Sequence, residues 1–504
     1  MGDDDKQLEI EHKEEVIGQV ERAVLDGDNL ILTINSHLSH NTIMRMLSRK
    51  SIILIRNEAG NELLTEVRGI EALAPIPPSI PEPNRTRIRI VAKPIALKTT
   101  INGRPRYVRG IIIPAMGSAV IEPGMGTIME ALDLRGDVTI GKAIINNQEV
   151  PIKVSVDELV NGLYVVSGEG DWRFRVIMNI LRNERLSKEY ESIIIMDRSG
   201  KYVGALIHGE LCGQCREDDK ALFIPVDLAR LERAVDMEEV VKYIMDRLRI
   251  AGLRGKVKVK LTTTKRGIKL TVNTDRGYGF LTYPTTISTR WFMEEIVEMG
   301  VLGASVNYVL QAVMSKGEGV DSIGDFINKI QNEVTTPRAS VIKTLNLLMR
   351  LKRTGYFDLL INIRNKTMKP PINPLGILGS KFVVYDLHEM PMELMNTYQL
   401  VLMKNVLRWF ITEGRRALLI LDDVDGIIRS RRLLNEFINL IRLKNNNVAM
   451  IISSRVNNGE IRNHVGSTVM TGSMPGDCVG APTTDKPITL ITPTRCITGS
   501  LNGE

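Results

Sequence analysis

The chain opens with short runs of apolar residues, many alternating with polar ones. "NLILTI", "SIILIRN" and "LLTEVRGIEAL" fall between about residues 15 and 73, separated by the turn signals Asp26-Gly27-Asp28 and Ala59-Gly60-Asn61. Short strands punctuated by turns predict a small β-barrel over residues 1–73. The proline-rich "APIPPSIPEPN" follows, and its rings exclude helix and central strand, so residues 74–90 read as a stiff extended linker. More strands come next, "RIRIVAKPIAL" and "RYVRGIIIP". "VTIGKAIINNQEVPIKVSV" then carries Asn146-Asn147-Gln148 between two period-2 runs and reads as a hairpin.

The period changes near residue 163. Leu163–Val166 is a continuous apolar strand, a glycine-containing turn follows, and Val176, Ile177, Ile180 and Leu181 recur at helical spacing. Another buried strand runs from Ser192 and ends at Asp197. Helices ending at Gly252 and Gly355, and a hairpin "KVKVKLTTTKRGIKLTVN", make the span 212–380 mixed in character. Strand–helix alternation resumes with "KFVVYDL", "ALLILDD" and "VAMIISS". Continuous apolar strands alternating with helices imply a parallel sheet buried on both faces. The expected fold is therefore α/β. A RecA-like parallel core, in two parts over 91–211 and 381–504, carries an N-terminal barrel and a mixed, partly helical insertion over 212–380.

Composition narrows the class. A chain of 504 residues is too long for one ordinary core, and 43% hydrophobic content excludes wholesale disorder. Lys and Arg exceed Asp and Glu by 66 to 59, which permits a polyanionic partner without requiring one. The N-terminal "MGDDDKQLEIEHKEE" has no apolar core of the signal-peptide kind, and no long apolar run is present, so a cytoplasmic protein is expected. Cys212-Gly-Gln-Cys215 has the spacing of half a zinc site or a redox pair. Cys478 and Cys496 do not complete a zinc set, so two loop thiols or a local disulfide is the simpler reading.

Two stretches compete as a phosphate-binding loop of the form G-x-x-x-x-G-K-[ST]. "GDVTIGKA", Gly136 to Ala143, fits all but its last letter. Its surroundings are β-type and no helix starts at Lys142, so it reads as strand and turn. "SGEGDWRF" has the correct setting, a buried strand before it and a helix after it, where free N–H groups and the helix dipole converge on an anion. There Ser167 holds the first glycine place, with Gly168 and Gly170 inside the loop. Trp172 stands where the second glycine belongs, Arg173 where lysine belongs and Phe174 at the hydroxyl place. An indole fills the space the backbone needs beside phosphate, Arg is bulkier than an ammonium, and Phe cannot ligate Mg²⁺.

Downstream, Ala417–Leu421 ends in Asp422-Asp423, the Walker-B arrangement, in which the first acid holds Mg²⁺ through water and the second polarises the attacking water. Strands also end at Asp for capping reasons alone. "MIISSRVNN" then brings Ser454 and Arg455 to a strand end suited to sensing a γ-phosphate.

In order and content the chain resembles the HerA/FtsK-type hexameric DNA translocases. The resemblance runs through the barrel, the proline-rich linker, "GDVTIGKAIINNQEVPIKVSVDEL", "SIIIMDRSGKY" with Asp197, "KFVVYDLHEM", "LLILDDVDG", "IISSRVNNGEI" and the closing "MPGDCVGAPTTDKPITLITPTR". It implies a homo-hexamer, or a hetero-ring with an active paralogue, with duplex DNA in a basic channel, Mg·ATP between subunits and, in archaeal members, a NurA-type nuclease partner. The departures fall on the chemistry. Besides Trp172, Arg173 and Phe174, Lys201 replaces an acid, Asp423 replaces Glu, Val424-Asp425 replace Ala-His and Ser454 replaces Gln; Arg455 matches. Substitution at every nucleotide-contacting station implies a degenerate, pseudo-ATPase member. Lys256, Lys258 and Lys260 alternate on one face of the hairpin, with Lys265 and Arg266 at its tip, a stripe able to track DNA phosphates. An active ATP-driven translocase, with Asp422 binding Mg²⁺, and a ring protein without DNA binding are the alternatives.

Overall fold

The computed structural model describes residues 14–501 apart from 48–49, 74–85, 102–103, 109, 133, 135, 147, 213–214, 229–236, 265–266, 275–278, 316–319, 334–336, 359, 363–366, 370–372, 472–477, 480–486 and 493–495. The chain forms two compact units, Met1–Glu158 with Ser467–Glu504, and Leu159–Gly466.

In the first unit, strands β1 (Glu15–Asp26), β2 (Asn29–Ser36), β3 (Ile52–Arg56), β4 (Glu62–Ala72), β5 (Thr86–Ile101) and β7 (Ala119–Glu122) close an antiparallel barrel. Its order is β1-β2-β5-β4-β3-β7, returning to β1; β6 (Arg104–Val108) extends β5. Short helices α1 (His40–Met46) and α2 (Met125–Ala131) are also present. Alternation aims the core: Leu30, Leu32 and Ile34 of β2 meet Ile17, Val20, Ile88, Ile90 and Val120 inside the barrel. Residues 86–90, expected as the end of a linker, begin β5, because closure needs a strand between β2 and β4. The rest of that proline-rich span lies outside the described residues.

The unit's second sheet has the order β21-β22-β23-β8-β9. It is built from β8 (Val138–Ile145), β9 (Gln148–Val154), β21 (Ser467–Thr471), β22 (Pro487–Ile491) and β23 (Cys496–Leu501). Here "GDVTIGKA" finds its explanation. It lies in and just before β8, the first arm of the expected hairpin, and Gly141 pairs with Ile152 and Leu501. A Cβ on Gly141 would sit 2.3 Å from the Ser500 carbonyl oxygen. The glycine therefore permits close strand approach. Gly141→Ala is expected to cost about 1–3 kcal/mol by overpacking two strands, checked by thermal unfolding. Cys478 and Cys496 form a disulfide in this unit, and Cys212 and Cys215 form one in the other.

The second unit contains β10 (Leu163–Val166), β11 (Ser192–Asp197), β12 (Lys220–Pro225), β13 (Val257–Thr264), β14 (Gly267–Thr274), β15 (Gly279–Thr285), β16 (Leu360–Asn362), β17 (Thr367–Lys369), β18 (Phe382–Asp386), β19 (Ala417–Leu421) and β20 (Val448–Ser454). Within it, β15-β12-β18-β11-β19-β20-β10 is a wholly parallel run. Its strands are buried on both faces, which is why they read as unbroken apolar sequence. The strand before the glycine loop, β10, is separated by β20 from β19, the strand that ends in the two acids; this is the RecA-like order. The helices are α3 (Gly170–Leu181), α4 (Glu184–Glu189), α5 (Lys201–Ile207), α6 (Met237–Ile250), α7 (Thr289–Glu298), α8 (Ala304–Met314), α9 (Ile323–Glu333), α10 (Arg338–Arg353), α11 (Met392–Glu413), α12 (Asp425–Ile428), α13 (Arg431–Leu443) and α14 (Gly459–Arg462). Two strands from the span 212–380, β12 and β15, belong to the parallel run. The antiparallel hairpin β13–β14 and the helices α7–α10 are its additions. Among the described residues no helix is long and apolar enough to cross a membrane.

Candidate nucleotide site

The strand–loop–helix setting read from "SGEGDWRF" is present. β10 ends at Val166, the Ser167 N–H donates to the Ser454 carbonyl, and α3 starts at Gly170 after the extended residue Glu169. Gly168 and Glu169 are exposed, so the loop opens to solvent. No side chain caps the helix.

The three substituted positions behave differently from one another. The Trp172 indole, expected in the space beside a phosphate, is instead only 3% exposed and packs beneath the helix, because its position shares the apolar face of Val176 and Ile180. The Arg173 guanidinium is buried as well. Its Nη1 donates to the Ser167 carbonyl and its Nη2 reaches Asp423 Oδ2 at 3.4 Å. Phe174 meets the ring of Tyr202 edge to face, with centroids 5.1 Å apart. The cation of the loop is thus turned toward the protein's own acids, and the hydroxyl place is an aromatic contact.

Adjacent parallel strands end in Asp386, Asp197 and Asp422. Asp197 is fully buried and organises the turn into α5. Its Oδ1 accepts from Ser199 N, Ser199 Oγ and Gly200 N, and its Oδ2 from Val203 N. Burial first, then the neighbouring Asp422 and Asp386, push its carboxyl up to about 7. Asp422 Oδ1 accepts from Ser453 Oγ at 3.0 Å and its Oδ2 from Ser199 N at 3.1 Å. Asp423 has the left-handed φ of 50°, which Asp tolerates better than most residues, and its N–H donates to Ser453 Oγ. Burial would raise its carboxyl. The hydrogen bond with Asp425 and the charges of Arg198, Arg173 and Arg455 hold it below the usual range instead. Asp425 moves up, through burial and the charge of Asp423.

At the end of β20, Ser454 Oγ is committed to the Tyr164 hydroxyl and the Val456 carbonyl, inside the protein. Arg455 is largely exposed. Its backbone N–H donates to Asp425, and its guanidinium lies 3.2 Å from Asp423 Oδ2. The structure therefore gathers Ser167, Gly168, Gly170, Arg173, Phe174, Asp197, Asp422, Asp423, Ser454 and Arg455 around one sheet end. It also adds Arg198, Ser199, Tyr202 and Ser453, whose only trace in the sequence is their position next to strand-end acids.

At the place of a metal-ligating hydroxyl Phe174 offers no oxygen, and the guanidiniums of Arg173 and Arg455 lie against Asp423. Among the described residues no cluster of three or more His, Cys, Asp or Glu is arranged to hold a metal.

The expected DNA-contacting lysines lie at the opposite edge of the same sheet. Lys256, Lys258 and Lys260 are exposed. On β13, Lys258 and Lys260 share a face with Asn273 and Thr271, while Val259 and Leu261 oppose the buried Val272 and Leu270. Lys265 and Arg266 lie outside the described residues.

No family model and no curated protein sequence matches the chain. Among solved structures, it is similar to the bacterial conjugative coupling protein TrwB. Identity is 10% and the TM-score 0.41, covering 80% of this chain and 95% of that one. TrwB in complex with the non-hydrolysable ATP analogue ADPNP gives 10% identity and a TM-score of 0.42, over 74% and 91%. VirB4 of Thermoanaerobacter pseudethanolicus gives 12% and 0.38, over 73% and 97%.

Proposed function

We propose that this chain is a HerA-like ring protein that binds duplex DNA or scaffolds a DNA-processing complex without efficient ATP hydrolysis. The observation that carries the reading is Arg173. The residue at the loop's lysine position spends its charge on the Ser167 carbonyl and Asp423, inside the protein. Phosphoryl transfer needs a cation on the phosphates, a metal between them and a placed water; here the side chains suited to those tasks bind one another. The ring would be a homo-hexamer, or a hetero-ring in which an active paralogue supplies turnover, with a NurA-type nuclease as a candidate partner. The test is ATP hydrolysis by the purified chain with Mg²⁺, with and without duplex DNA. No turnover above background is expected; turnover that Asp422→Ala abolishes overturns the reading in favour of an active translocase.

The exposed lysine face of β13 supports the DNA half of the reading. Charge reversal at Lys258 and Lys260 is expected to weaken duplex binding and to lower the slope of log affinity against log salt by about 2. Absence of duplex binding even at low salt would leave scaffolding alone.

A further inference from the structure

We propose that the outer face of α10 is a docking seam for an amphipathic helix of another protein, one that carries Glu or Asp along both sides of an apolar stripe. The proposal concerns the helical addition to the second unit and stands whether or not the chain hydrolyses ATP.

The seam follows from spacing. α10 packs against α8 and α9, and its inner face buries Thr344, Leu348 and Leu351. On the outer face Ala339, Ile342, Asn346, Met349 and Arg353 recur at alternating intervals of three and four, and all of them are exposed. That is the a–d repeat by which one helix lays a stripe against another. Ile342 and Met349, at the two d places, are 48% and 42% exposed. A single exposed apolar side chain needs no explanation. Two of them one heptad apart, on either side of a central Asn, form a stripe. Asn346 takes the middle a place, where a polar side chain fixes register at a cost in stability.

The flanks select the partner. Beside the seam, the e and g places hold the exposed cations Arg338, Lys343, Arg350 and Lys352, and otherwise only the half-buried Leu345. The helix carries no acidic residue. None of these cations forms an ion pair among the described residues. The helix dipole accounts for Arg350 and Lys352, near the C-terminus, but Arg338 opens the helix, where a cation is unfavourable, and Lys343 lies mid-helix. A second copy of α10 would set cation against cation in either orientation. Carboxylates on the facing helix give opposite-charge pairs instead. Duplex phosphates would satisfy the cations and leave Ile342 and Met349 unused; an acidic amphipathic helix satisfies both. The contact spans two heptads, which suits a partner that exchanges rather than a permanent subunit.

Fluorescence anisotropy of labelled designed peptides against the full chain tests this. Each peptide has about three heptads, long enough to hold a helix. The first has Leu and Ile at a and d, one Asn at a central a, and Glu at e and g. The second has the same composition in scrambled order, and the third has Lys at e and g. Only the first is expected to bind. Ile342→Asp, with its melting temperature as a folding control, should weaken that binding by about tenfold or more. Lys343→Glu with Arg350→Glu should exchange the preference, losing the Glu peptide and gaining the Lys peptide. No binding of the Glu peptide, equal binding of its scrambled form, or an unchanged preference in the charge-reversed variant overturns the proposal. A DNA duplex that binds where the Glu peptide does not, and is lost on charge reversal but not in Ile342→Asp, assigns the face to nucleic acid and overturns it too.

Discussion

Restoring the phosphate-loop letters, with Trp172→Gly, Arg173→Lys and Phe174→Thr together, is expected to destabilise the protein without giving it ATPase activity. The reason lies in packing. Trp172 is an internal residue of the second unit, and deleting an indole from such a position costs about 3–5 kcal/mol. A glycine inside α3 adds about 1 kcal/mol relative to alanine. Losing the Phe174–Tyr202 contact costs up to about 1.5 kcal/mol more. Arg173→Lys removes the fork that joins Ser167 to Asp423, leaving the Asp423 carboxylate with one arginine fewer. Catalysis would still lack a free second acid, since Arg455 would continue to lie against Asp423. Urea unfolding of the triple variant beside the parent, with phosphate release in the same samples, checks both halves. A stable triple variant that hydrolyses ATP would show that the divergence stops at the loop.

That outcome bears on how far sequence reading reached. The parallel strands were legible because burial on both faces leaves runs such as "LLIL" and "IIIM" with no polar interruption. The different settings of "SGEGDWRF" and "GDVTIGKA" were legible because the apolar period turns helical after the first and stays β-type around the second. Rotamer and tertiary placement were not legible. Trp172 takes the buried side of α3, and nothing in the loop's spelling distinguishes an indole blocking the loop from one packed beneath the helix. Barrel closure was hidden for a different reason: β5 follows a proline-rich stretch that reads as linker, and its partner β2 lies far earlier in the chain, Ser36 pairing with Thr86 and Leu30 with Ala92. The role of Asp422 shows a third limit. A strand ending in acids has the same sequence whatever those acids bond to, and only the structure shows Asp422 accepting from Ser199 and Ser453.

The other large effect is expected at Arg247, on α6, away from the loop. Its Nε lies 3.0 Å from Asp386 Oδ2, its Nη1 donates to the Pro225 carbonyl, and both charged side chains are almost wholly buried. Burial alone would raise the Asp386 carboxyl; Arg247, and then His388, hold it below the usual range. Arg247→Met leaves that carboxylate unneutralised beside Asp197, and breaking one side of a buried pair costs about 3–5 kcal/mol. The loss should depend on pH, and the sign follows from linkage. In the parent, the depressed Asp386 contributes stability above the unfolded carboxyl value and loses it as pH falls through its own lower one. Asp197, raised to about 7, does the reverse: its contribution is complete below the unfolded value and lost as pH rises through about 7. Without Arg247, Asp386 joins Asp197 in the second class, because burial and its neighbour now act on it without the guanidinium. His388 opposes this only while protonated. Its ring, lowered by burial but raised further by Asp386, carries a compensating charge at acidic pH. Both effects point the same way, so Arg247→Met should be more damaging at pH 8 than at pH 5. Paired urea titrations of parent and variant at the two pH values measure it. A loss equal at both would place the cost in packing around Pro225 and Tyr243, whose hydroxyl accepts from Arg247 Nη1 at 3.4 Å, outside the row of strand-end acids.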